Sequence, residues 1–135
     1  MTKKVNVKNM EKEMYSNYLQ KADENCRLAQ KAMEEKSYNA AAVCAVHSAI
    51  SSVDAYCVFN LAKRCSSSNH EDAAVVIGET NLKSKSAVTK KFLSVIRMKN
   101  MAEYEERLVK QKEAEKAVND VKELLEMVKN DLNEK

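Results

Sequence analysis

The sequence predicts an all-α protein, an up-and-down antiparallel bundle of four or five helices, and three observations carry that prediction. Its 135 residues contain no proline and one glycine, Gly78, so the residues that make tight turns and punctuate strands are nearly missing. Apolar residues recur at alternating steps of three and four, the period of a helix face. Charged residues make up 32% of the chain and hydrophobic residues 44%, a mixture that suits amphipathic helices and not disorder. The length supports one core and is too short for two, so residues 1–135 are expected to form a single domain with 1–8 frayed.

Helix one is expected over 9–36, where Tyr15, Leu19, Ala22, Cys26, Ala29 and Met33 fall on one face and Glu13, Lys21, Glu24 and Lys31 cover the rest. Ser37 is its successor's expected N-cap, a side-chain oxygen accepting from an exposed amide. Helix two, over 38–64, carries almost no charge before Lys63 apart from Asp54. Val43, Val46, Ile50, Val53, Cys57 and Leu61 make one apolar row; Ala41, Ala45, Ser48, Ser52, Ala55 and Phe59 make a neighbouring row of mostly small residues. A helix apolar on most sides must be surrounded, and small residues let another helix approach closely. It is therefore either the central element of the bundle or half core and half subunit interface.

The run from Cys65 to His70 reads as a loop, with Ser68 or Asn69 capping a short helix through Ala73, Ala74, Val75, Val76 and Ile77. A fourth helix, over 86–98, buries Val88, Phe92, Val95 and Ile96. The last, over 112–130, buries Ala114, Ala117, Val118, Val121, Leu124, Leu125 and Val128. Residues 99–111 have no clear assignment.

Four cysteines, Cys26, Cys44, Cys57 and Cys65, show no CxxC pair, and three lie in apolar helical runs, where a free thiol packs as a small hydrophobe. The first nine residues lack an apolar signal-peptide core, and no run approaches 18 apolar residues. The expected compartment is the cytoplasm, with no membrane partner.

Net charge is +3, but it is unevenly spread. Residues 83–102 hold Lys83, Lys85, Lys90, Lys91, Arg97 and Lys99 with no acid, while 103–135 carry ten acids against seven bases. Lys83, Lys90 and Arg97 are seven apart and align along one helix side. Six cations repel one another unless an anion or an acidic neighbour offsets them. Phosphate is one such partner and the acidic last helix is the other. With little aromatic interleaving, base-specific stacking is not indicated.

Two further groups carry polar chemistry. His47, Ser51 and Asp54 share a face of helix two, where an Asp can orient or charge a His. The same pattern also describes a polar seam satisfied by a neighbouring helix. His70, Glu71 and Asp72 show no metal-ligand spacing and read as helix capping, so no metal and no cofactor are expected.

Two stretches resemble one branch of the HEPN (higher eukaryote and prokaryote nucleotide-binding) family. Residues 40–55 form an alanine-rich helix carrying His47 and the Asp54–Ala55 step, followed by the Ser68-Asn69-His70 turn. Residues 99–105 and the final helix with Glu115-Lys116-Ala117 resemble the segment closing the family's bundle. The resemblance implies a homodimer that binds nucleotide or RNA, or serves as partner of a nucleotidyltransferase, in some cases within toxin–antitoxin systems. The family's metal-independent ribonucleases use an Arg with a His four to six residues later. Arg97 is taken as that Arg, and no His follows it; Tyr104 stands seven residues on. The chain is thus expected to be a divergent member lacking the motif, a non-catalytic module. Lys90, Arg97, Lys99 and Asn100 would bind phosphate, and His47 and Asp54 would form a polar pair in or near the dimer cleft. The alternatives are a ribonuclease using Arg97 with Tyr104 or His47, and an antitoxin-like interaction protein.

Overall fold

The apolar stripes become the buried faces of helices in the structure, a computed structural model that describes residues 4–134. Helix α1 (Tyr15–Glu34) buries Leu19, Ala22, Cys26, Ala29 and Ala32. It starts later than its stripe suggests because a 3-10 turn, Lys12–Met14, and a short strand precede it. Lys36, at φ 61°, reverses the chain after α1, with the Ser37 amide donating to the Ala32 carbonyl at 2.8 Å. Ser37 makes no side-chain capping bond to α2 (Tyr38–Leu61), contrary to expectation; its carbonyl accepts the Ala41 amide instead.

Helix α2 is the central element. By length and composition alone it could cross a membrane, yet most of its apolar stretch is buried in the bundle, as befits a core helix. The row of small residues faces α1: Ala41, Ala45, Ser48, Ser52 and Ala55 are all fully buried, and Ser48 Oγ donates to the Ala22 carbonyl at 2.7 Å. This corrects the subunit-interface option for that row, because the chain's own α1 fills it. Phe59, at the end of the row, meets Tyr15 edge-on at 5.0 Å.

Ala62, in the left-handed region at φ 55°, ends α2 and turns the chain into β2 (Lys63–Cys65). This strand pairs antiparallel with β1 (Val7–Asn9) in the register Val7 to Cys65, Lys8 to Arg64 and Asn9 to Lys63. The bundle therefore carries a small two-stranded sheet. Lys63 and Arg64 are strand residues and not the end of helix two. Val7 and Lys8, expected to fray, are paired, whereas residues 1–3 of the expected frayed segment lie outside the described residues.

After β2, Asn69 caps a 3-10 turn (His70–Asp72) by accepting the Glu71 amide at 3.1 Å, and α3 (Ala73–Glu79) follows. Helix α4 (Lys85–Ile96) buries Val88, Phe92, Val95 and Ile96. A short α5 (Lys99–Glu103) occupies part of the unassigned stretch, and α6 (Gln111–Asp131) closes the bundle on its predicted face. Glu113 organises the approach to α6: its carboxylate accepts from Arg107 at 3.0 and 2.8 Å and from the Lys110 amide at 2.9 Å, and these bonds lower its pKa to about 2. Asp131 ties three elements together, accepting from Tyr56 at 2.6 Å and from the Ser84 amide at 2.8 Å.

Candidate functional site

The six cations of the basic segment divide once the helices are in place. Lys91 bonds Asp120 at 3.2 Å and Glu123 at 2.6 Å, both on α6. Asp120 also accepts from Ser94 at 2.8 Å and Lys116 at 2.7 Å; burial raises its pKa, but these bonds outweigh burial and hold it below the usual value. Lys85 donates to the Gly78 and Thr80 carbonyls at the end of α3. Lys99 pairs with Glu103 at 3.4 Å and donates to the Tyr104 hydroxyl at 3.2 Å. The side chains of Lys83, Lys90 and Arg97, the set spaced by seven, make no hydrogen bond or ion pair among the described residues.

His47 lies on the exposed side of α2, its Nε2 3.4 Å from Glu103 Oε1, an oxygen that is buried without a hydrogen-bond partner. His47, Glu103, Lys99 and Tyr104 thus form one connected run along α5, with the Tyr104 side chain largely in solvent. Arg97 is not part of this run. It lines a depression of about 210 Å³ with Lys99, Asn100, Asn69 and His70. The histidine that shares a depression with Arg97 is therefore His70, brought there by the Ser-rich loop. Lys90 stands on the outer side of α4, exposed.

His70 also lines a second, adjoining depression of about 260 Å³, between α2, β2 and the loop. Asp54, Arg64, Ser66 and Ser67 supply its polar wall; Ile50, Val53, Ala73 and Phe92 supply an apolar one. Arg64 reaches it from β2. One of its terminal nitrogens donates to the Cys65 carbonyl at 3.1 Å, while its Nε is buried with no partner. An unsatisfied buried guanidinium N–H is costly and invites an acceptor. Asp54 makes no hydrogen bond or ion pair with the described residues, and burial raises its carboxyl to about 7 against the opposing pull of Arg64 and Lys21. His47 and Asp54 are not brought together as a pair: His47 faces Glu103, while Asp54 faces this depression. Burial, with Lys99 and His47 adding to it against Glu103, lowers the His70 pKa and so favours the neutral imidazole. No group of His, Cys, Asp and Glu among the described residues is placed to hold a metal ion.

Arg64 and His70 are the residues that attention to Arg97 overlooks. The signal for them is in the sequence: His70 stands six residues after Arg64, within the spacing of the Arg-and-His motif. The expectation that the chain lacks this motif is corrected on that count, since the spacing is met at Arg64–His70 and not at Arg97.

Fold and site together define an all-α bundle with a cationic, histidine-bearing depression beside its central helix. A HEPN domain model matches residues 15–131, nearly the whole chain, and the chain belongs to the HEPN family. Its role is accordingly of the nucleotide- and RNA-related kind that goes with that domain. Neither the curated proteins nor the solved structures include a match to it.

Proposed function

We propose that the chain binds RNA phosphate at His70, between Arg64 on one side and Arg97 on the other, and cleaves the phosphodiester there. The observation that carries this reading is that His70 lines both depressions, with Arg64 lining one and the unpartnered Arg97 lining the other. A neutral imidazole takes the proton of a ribose 2′-hydroxyl as the oxygen attacks the adjacent phosphorus. The guanidinium groups offset the charge that builds on the phosphoryl oxygens, and the 5′ oxygen leaves as an alcohol by taking a proton from water, giving a 2′,3′-cyclic phosphate. Asn100, on the same wall as Arg97, supplies a hydrogen-bond donor to the backbone. Two copies of the chain acting as a homodimer would bring two such sites to one RNA.

The test is cleavage of a single-stranded RNA in the presence of a chelator. Arg64→Ala and His70→Ala are each expected to lower the rate on the order of 10²-fold or more. His47→Ala and Tyr104→Phe, outside both depressions, are expected to stay within a few-fold of the parent. Retention of RNA by the wild type without any product favours a second reading, a binding module without chemistry, which rests on the same unpartnered Arg97 and Lys90. Equal activity in Arg64→Ala and wild type removes the first.

A further inference from the structure

The larger depression has a feature that phosphate binding does not use. It holds a single acid, Asp54, without a hydrogen-bond or ion-pair partner among the described residues, and its lining includes the apolar Ile50, Val53, Ala73 and Phe92. Its volume, about 260 Å³, lies just below the range usual for small-molecule sites, the scale of one flat heterocycle and not of a longer ligand. It adjoins the phosphate position through His70 and Arg64.

We propose that this depression is a guanine subsite, in which the two oxygens of Asp54 accept the N1–H and N2–H of an unstacked base whose phosphate sits at His70. Guanine is the common RNA base whose Watson–Crick edge sets two donors side by side, matching a carboxylate bidentately. Adenine offers one donor there beside an acceptor, uracil one donor between two acceptors, and cytosine one donor beside two acceptors. The apolar wall receives the faces of the ring, and a carboxylate left without partner in such surroundings gains the bonds it lacks. Reading the edge of a splayed base is how proteins recognise single-stranded RNA, so the subsite adds base preference to a phosphate site that has none. This inference rests on the phosphate reading given above.

Calorimetric titration with the 3′-monophosphates of guanosine, inosine and adenosine, at pH 8 and low salt, tests it. Guanosine monophosphate is expected to bind about tenfold more tightly than the other two, because inosine lacks the N2 amino group and adenine lacks the N1 proton. Asp54→Asn, close to the same shape, is expected to bring the guanine nucleotide to within about twofold of adenosine monophosphate, with adenosine monophosphate unchanged as the folding control. Equal binding of all three, or a guanine preference that survives Asp54→Asn, overturns the subsite. If Arg97→Ala then weakens all three alike, the phosphate reading stands without it. No binding by any of the three overturns both.

Discussion

Asp54 carries a carboxyl held near pKa 7 by burial, while the same group in an unfolded chain titrates near 4. Its protonated form is therefore favoured by folding. That contribution is fully present below the unfolded value and is lost as pH rises through the folded one. Asp54→Asn removes the ionisation, so the variant is expected to be more stable than the parent at pH 8 by on the order of a few kcal/mol, with a correspondingly higher melting temperature, and alike at pH 4. Scanning calorimetry at the two pH values checks this, and a gap of equal size at both would contradict it. His70 has the opposite sense. Its folded pKa is lowered, so its neutral form belongs to the fold and the proton-accepting state is lost as pH falls. At this scale the run of cations over residues 83–102 was legible, because local cation density is a property of the sequence itself. Arg64 was half legible: its spacing to His70 can be counted, but the strand that turns it into the cavity depends on a partner more than fifty residues earlier.

The α1–α2 pair is the tightest joint among the elements, and its closeness comes from alanine and serine. Ala45 is fully buried in the row that α1 covers, so Ala45→Leu is expected to overpack it and cost about 1–3 kcal/mol. Urea unfolding of variant and parent measures the difference, and an unchanged midpoint would show that the row has slack. The helices were legible because apolar spacing reports a buried face directly; the stripe of Ala114, Ala117, Val118, Val121 and Leu124 on α6 is an example. The sheet was not. Lys63, Arg64 and Cys65 show no alternation of apolar and polar residues, and all three are half-buried through pairing with β1 and contact with α2. Nor could composition say which neighbour would cover the small-residue row, since α1 and a second subunit demand the same side chains.

Across the whole molecule, charge is sorted by which helix faces which. Lys91, Lys85 and Lys99 are taken up internally, leaving Lys83, Lys90 and Arg97 for solvent or an anion. RNA binding is expected to weaken as salt rises, by about 0.7 decade per decade of salt for each phosphate contact on a single strand. Lys83→Ala with Lys90→Ala is then expected to weaken binding at low salt and flatten the slope by about 1.4. Filter binding across several salt concentrations reads this, and an unchanged slope would place the strand elsewhere. The net charge of +3 hides this division, which appears only when α4 is set against α6.

The pairing of residues 7–9 with the strand that carries Arg64 has a practical side. Whatever is spliced ahead of this arm, a purification handle or a fluorescent reporter, hangs from the clasp holding that arginine in place. A protease nick at the arm is expected to loosen Arg64 and lower the proposed RNA cleavage while the helices remain standing, so spectroscopy alone would not register the change.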